Sequence, residues 1–191
     1  MCLSMRERIA RFIFTQVANG LEYLHDVAFV ANRDLKLDNI LFTTKEGGTN
    51  IYSHDRAQIT DFTTAFKFTR STANTVRVAN RQGTTCYLAP EVFTLNDYAP
   101  KPLDVWALGV SLFAFMFGRL PFFGDTEHEM ETSIRHDEIV FDASVPVSDQ
   151  FKDVMRALLT KDPDLRPSVA EAKTRYEWLQ RPDFPSERAP L

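Results

Sequence analysis

Asp34, Lys36, Asp38 and Asn39 fall within six residues of one another, in the run Ala31-Asn32-Arg33-Asp34-Leu35-Lys36-Leu37-Asp38-Asn39-Ile40-Leu41-Phe42. The run enters and leaves through apolar residues, so its charged middle reads as a loop held at both ends and turned toward something charged. Phosphoryl transfer needs an aspartate to accept the proton of the attacking hydroxyl, a cation near the transferred phosphate and an oxygen ligand for Mg²⁺. Asp34, Lys36 and Asn39 fit those roles in order. A solvated turn carrying a helix cap uses the same residue types, so the rest of the chain has to decide between the two.

Two further constellations bear on that choice. Asp61 stands in Ile59-Thr60-Asp61-Phe62-Thr63, directly after an expected strand. Beside Asn39 it would offer a second hard oxygen, as Mg²⁺ prefers, with Phe62 expected to pack into the apolar floor. The third is Gly83-Thr84-Thr85-Cys86-Tyr87-Leu88-Ala89-Pro90-Glu91, in which Ala89 lies 28 residues after Asp61. Arg166, in the turn before the last expected helix, could pair with Glu91. A buried pair of that kind fixes geometry more than it adds stability, so its expected role is structural.

The elements that must position these residues follow from periodicity. Residues 4–25 read as an amphipathic helix, with Ile9, Phe12, Ile13, Val17, Leu21 and Leu24 at helical spacing. Ser4 and Glu7 match a capping box. Ile40 to Phe42 and Ala57 to Thr60 read as a small β pair, joined by an exposed polar hairpin tip over 45–55. Residues 63–85 show little periodicity and read as a long mobile loop. From Asp104 the chain turns helical, and Val105 to Phe117 is apolar on all sides, so that helix must be buried on all sides. Trp106 and Phe113–Phe117 are expected to be core. Polar and amphipathic helices follow over 125–136 and 148–160, then a turn over 161–164. A last helix spans 168–179, with Ser168 as cap and Glu171 three residues on. Residues 181–191 read as a loose tail, and the four histidines as surface residues.

Composition narrows the function classes. The 191 residues, 44% hydrophobic, suffice for one domain with a core. A net charge of −4 gives no sign of nucleic-acid binding. Cys2 and Cys86 supply neither a disulfide framework nor metal-site spacing, which fits a reducing, intracellular (cytoplasmic) setting. No secretory signal opens the chain, and its most apolar run, 105–117, is too short for a membrane span.

In order, NRDLKLDN, TDFT, GTTCYLAPE, DVWALGV and LLTKDPDLRPS reproduce the motif series of the eukaryotic protein kinases. The chain resembles the C-terminal lobe of that family over about residues 4–180. Lys36 after Asp34, and Thr84 after Gly83, resemble the serine/threonine type. The run from Asp104 to Ser168 looks most like the calcium/calmodulin-dependent protein kinase kinase group. The resemblance implies a mainly α fold: a helical lobe with a small β hairpin and no N-terminal β lobe, as a partial kinase domain over 1–180 with a flexible tail over 181–191. It implies Asp34 and Lys36 as catalytic residues, and Lys36, Asn39, Leu41 and Asp61 as ATP-binding residues, with Leu41 under the adenine. Asn39 and Asp61 would ligate Mg²⁺ (or Mn²⁺). Thr84 would bond to Asp34 and Lys36. Asp104 would open the central helix and bond the backbone of the catalytic loop. Arg33 would hold a phosphate placed by an upstream kinase on Thr72 or Thr75. The partners implied are a protein substrate and ATP.

The sequence departs from the pattern at two positions. Asn32 stands where the family has His, and Thr63 where the metal-binding triplet ends in Gly; a β-branched residue reaches positive φ with difficulty. The 191 residues also contain no G-x-G-x-x-G run and no V-A-I-K lysine, the parts that cover and align ATP phosphates. Three readings stand. The chain is part of an active serine/threonine kinase, inactive alone, with an apolar patch around Phe62 left uncovered. It is instead a catalytically inactive scaffold using a face around residues 80–136. Or it is a helical domain without phosphate chemistry.

Overall fold

A computed structural model describes residues 4–43, 50–51, 55–180 and 189–190. The helices are α1 (Met5–Tyr23), α2 (Glu91–Thr94), α3 (Pro100–Phe117), α4 (Glu127–His136), α5 (Asp149–Leu158) and α6 (Val169–Arg175). The strands are β1 (Val30–Ala31), β2 (Ile40–Thr43), β3 (Asn50–Ile51), β4 (Arg56–Ile59), β5 (Phe66–Lys67) and β6 (Ala189–Pro190). All strand pairs are antiparallel: β1 with β5, β2 with β4, and β3 with β6. The expected tip over 45–55 and the tail over 181–191 lie outside the described residues, apart from the backbones of β3 and β6 and Asp55.

The fold is built around α3. Its residues 103–113 are buried without a break, as an all-round apolar helix requires. Trp106 stacks on Phe122 at 5.4 Å between centroids. Gly118, at φ 66, ends the helix with a left-handed cap. Helices α1 and α5 pack on it, and the β2–β4 pair lies against α1. There Gln16 Oε1 accepts the Ala57 N–H at 3.3 Å.

Several expectations are corrected. The central helix starts at Pro100, because proline at the first position already supplies the helical φ; Asp104 therefore sits in its second turn. Helix α1 stops at Tyr23 and continues as one wide turn over Leu24–Ala28, which Phe29 closes at φ 57. The last helix breaks at Tyr176 into a short turn. The segment 63–85 is not featureless, since it contributes β5 and a two-way backbone bridge between Val78 and Tyr98.

The Ser4–Glu7 capping box forms only in part. Ser4 Oγ accepts the Glu7 N–H at 3.2 Å, but the Glu7 carboxylate has turned inward. It accepts from Ser148 N–H at 2.9 Å, Ser148 Oγ at 2.5 Å and Trp178 Nε1 at 2.9 Å. One buried carboxylate thus caps α5 and satisfies an indole more than a hundred residues away. By contrast, the Ser168–Glu171 and Thr126–Glu129 boxes close fully, because those glutamates stay at the surface and are not drawn inward onto buried donors.

Lys161 is a half-buried cation beside the Trp106 and Phe122 rings. Its Nζ donates to Ile134 O at 2.6 Å and lies 3.8 Å from the Phe122 ring centre. Burial pulls its pKa down to about 8.

Two outcomes follow. Glu7→Ala strands the Trp178 and Ser148 donors and is expected to cost about 3 kcal/mol in denaturant unfolding. A change below about 0.5 kcal/mol would contradict this account. For Lys161 the folded pKa lies below the unfolded one, so protonation penalises the folded state fully below pH 8. The wild type should therefore gain stability relative to Lys161→Met as pH rises from about 8 to 10.5, the ordinary lysine value. Parallel melting curves for the two proteins across that range would show the assignment to be wrong.

Candidate active site

The site begins with Asp104, a fully buried carboxylate on α3. Its Oδ2 accepts the Asn32 N–H at 2.8 Å and lies 2.8 Å from His25 Nε2; its Oδ1 accepts the Arg33 N–H at 2.7 Å. These bonds hold Arg33 at φ 69, a conformation that side chains with a Cβ seldom adopt. His25, expected at the surface, is 3% exposed, because the wide turn after α1 swings it inward onto Asp104. His54 lies outside the described residues, and His128 and His136 are exposed.

The turn at Arg33 brings Asp34, Lys36, Asn39 and Thr84 together. Asp34 Oδ1 accepts the Thr84 N–H and hydroxyl, both at 2.9 Å. Lys36 Nζ donates to Asp34 Oδ2 at 3.0 Å and to Thr84 Oγ1 at 2.9 Å. The bond to Asp34 raises the Lys36 pKa above its ordinary value, against a smaller effect of burial. Asn39 Nδ2 donates to Asp34 O at 2.9 Å. Thr84 can come this close because Gly83 precedes it. Gly83 has φ 104, and a Cβ there would lie 2.6 Å from Arg33 O.

Asp61 reaches the same place along β4. Thr60 N–H bonds to Asn39 O at 2.9 Å, which sets Asp61 next to Asn39 at the end of the strand pair. Asp61, not Thr63, takes the left-handed conformation, at φ 59. The Thr63 hydroxyl and N–H donate to Asp61 Oδ1 at 2.6 and 3.1 Å and hold its pKa below the usual value. Asp61 Oδ2 and Asn39 Oδ1 have no protein donor among the described residues. Oxygens of this hard type are the kind a small divalent cation takes. Among the described residues no three His, Cys, Asp or Glu side chains gather as a metal cluster. Phe62 is 46% exposed and does not pack into the floor, because the turn after Asp61 carries it outward. Leu41, 55% exposed, also lies open.

The fully buried Asn32 joins the two halves. Its Nδ2 donates to Asp61 O at 3.0 Å, and its Oδ1 accepts the Asp34 N–H at 3.1 Å. Its position in the motif marks it, but only the fold shows that its two ends reach both aspartates' backbones. Glu91 and Arg166 form a buried bidentate pair at 2.7 and 2.9 Å. The remaining guanidinium donors go to Thr160, Lys161 and Pro102 carbonyls, over the Trp106 ring. Arg33 reaches Asn80, a partner with no signal in the sequence.

Asp104 thus shapes the loop, and the loop's Asp34 is bonded to both Lys36 and Thr84. The protein kinase domain model matches residues 2–179, and the chain belongs to that family. It is 31% identical over 191 residues to serine/threonine-protein kinase ssp1 of Schizosaccharomyces pombe, covering 91% of this chain and 28% of that protein. It is also 31% identical over 175 residues to serine/threonine-protein kinase 33 of Bos taurus, covering 91% of this chain and 35% of that protein. A third relative, a Dictyostelium discoideum protein with myosin light chain kinase in its name, is 34% identical over 179 residues, covering 93% of this chain and 34% of that protein. The chain thus spans about a third or less of the length of these curated relatives. The family in general uses ATP and a divalent metal. No helix among the described residues is long and apolar enough to cross a membrane.

Asn32→Ala is expected to lower the melting temperature by about 5 °C, because Asp34 N–H and Asp61 O each lose a partner. Asn32→His, which keeps a donor for Asp61 O, should recover part of that loss. Equal melting of wild type and Asn32→Ala would show that the bridge contributes nothing.

Proposed function

We propose that this chain is the C-terminal lobe of a serine/threonine protein kinase, over residues 1–180, and that in a complete kinase it transfers the γ-phosphoryl group of ATP to a Ser or Thr hydroxyl of a protein. The observation that carries this reading is the bonding of Asp34 to both Lys36 and Thr84. Asp34, held by Thr84 from one side, accepts the proton of the attacking hydroxyl. Lys36 places its ammonium beside the transferred phosphate and stabilises the charge that develops there. Asn39 and Asp61 offer their open oxygens to Mg²⁺ or Mn²⁺, which neutralises phosphate charge when bound. Leu41 presents an exposed apolar face to the adenine. Glu91 with Arg166, and Asp104 with the loop backbone, hold the floor in shape. An intracellular setting and a place beside the calcium/calmodulin-dependent protein kinase kinase group complete the proposal.

In the sequence, Asn32 and Thr63 lend weight to the other reading, a catalytically inactive scaffold using a face around residues 80–136. Each adds hydrogen bonds to the site rather than removing them, which favours the active reading. Arg33 is engaged by Asn80, and neither Thr72 nor Thr75 bonds to it among the described residues.

Within the 191 residues nothing supplies the Gly-rich loop or strand lysine, so the chain alone is expected to show no phosphoryl transfer. Joined behind the N-terminal lobe of a relative such as ssp1, it is expected to phosphorylate a Ser/Thr peptide library from Mg·ATP, and Asp34→Asn to lower that rate about 10³-fold. A folded chimera that binds Mg·ATP but transfers nothing would favour the scaffold reading. Transfer by the chain alone, abolished by Asp34→Asn, would overturn the partial-site account.

A further inference from the structure

Arg33 presents a buried cation to the segment that follows Phe66. Its side chain is buried, and burial depresses the guanidinium pKa while Tyr98 and Asp104 act against that. One terminal nitrogen donates both to Asn80 O at 3.0 Å and to Asn80 Oδ1 at 2.9 Å. The Phe66 ring lies 6.0 Å from the guanidinium carbon. Arg33 Nε is buried without an acceptor among the described residues.

Asn80 sits between two other anchors. On one side, Val78 and Tyr98 exchange backbone bonds at 2.9 and 3.0 Å. On the other, Gly83 lies against Arg33 O and the Thr84 N–H reaches Asp34 Oδ1. The run from Val78 to Thr84 is therefore tied at both ends, and its middle is held by two carbonyl oxygens converging on a guanidinium. Bonds to an ionised donor are the stronger kind.

Thr72 and Thr75 are occupied elsewhere. Thr72 Oγ1 accepts the Thr69 N–H at 3.1 Å and lies 3.0 Å from Thr69 Oγ1; Thr75 Oγ1 donates to Thr72 O at 3.4 Å. Neither has a bond to Arg33 among the described residues.

We propose that Asn80 is a positioning residue that holds the segment 78–84, and through it Thr84 against Asp34, in place without phosphorylation. Its two carbonyl oxygens both engage one terminal nitrogen of Arg33. What the held segment does rests on the kinase reading above; the holding itself does not.

Hydrogen–deuterium exchange on the full 191-residue chain tests the holding directly, apart from any activity. Asn80→Ala, which removes the Oδ1 acceptor and leaves the backbone carbonyl, is expected to speed exchange in peptides covering 78–88 about tenfold through loss of that bond to a charged donor, with α3 unchanged. Asn80→Asp keeps an acceptor for Arg33 and should restore slow exchange. Thr72→Glu with Thr75→Glu should change nothing in that region. The proposal is overturned if Asn80→Ala exchanges like the wild type, if Asn80→Asp is as fast as Asn80→Ala, or if the double glutamate variant slows exchange at 78–88. Failure of the chimera to transfer phosphate would leave these outcomes untouched.

Discussion

One buried carboxylate sets the geometry of everything around it. Asp104 is fully buried on the best-packed helix of the molecule. Removing a charge from water costs several kcal/mol unless its oxygens are satisfied. Here two loop N–H groups and an imidazole nitrogen converge on it. The two N–H bonds come from consecutive residues, which forces the chain to turn at that point and holds Arg33 in the left-handed conformation. Such a conformation costs about 1–3 kcal/mol and persists only when its surroundings over-determine it. The next residue is Asp34. Its place relative to α3 is thus set by backbone bonds to a rigid helix rather than by the reach of a flexible side chain.

From that turn outward, uncharged groups connect the charged ones. Asn32 has a donor and an acceptor on one short carboxamide, so it can bond the backbone before Phe62 and the backbone of Asp34 at the same time. Thr84 offers a hydroxyl to Asp34 and accepts from Lys36. Thr63 closes a tight turn on Asp61. Both departures from the family pattern have a physical account. A carboxamide replaces an imidazole as a two-ended hydrogen-bonding group. A β-branched residue is tolerated in the triplet because the left-handed φ falls on Asp61, a residue type that visits that region more readily.

Much of this was legible in the sequence, for local reasons. The spacing of Asp34, Lys36 and Asn39 lies within one loop, and the apolar run of α3 has only one environment open to it. Glu91 and Arg166 were expected as a pair and form one. The misreadings share a different cause: the partner is remote or the chain reverses nearby. Glu7 matched a capping box, yet its partners are Ser148 and Trp178. His25 stands next to Asp26 with no pattern pointing inward, and only the wide turn after Tyr23 directs it onto Asp104. Phe62 is apolar and adjacent to Asp61, but a left-handed residue before it sends the side chain outward. Asn80 carries no pattern at all, since one asparagine in a polar loop gives no hint that an arginine 47 residues earlier donates to it.

The exposed apolar side chains and the buried polar network can be read together. Leu41 stands on β2 opposite Gln58, two residues past Asn39, and Phe62 directly follows Asp61. Both are open to solvent, whereas Asn39 is buried and Asp34 and Lys36 are largely enclosed. One end of the site thus offers apolar surface and the other a lysine with two open carbonyl or carboxylate oxygens. A ligand that meets both has an apolar part and a charged part. On the proposed reading that ligand is ATP with its metal. The exposure of Leu41 is then what an adenine-facing side chain requires, because a side chain packed into the core could not also meet a base from outside.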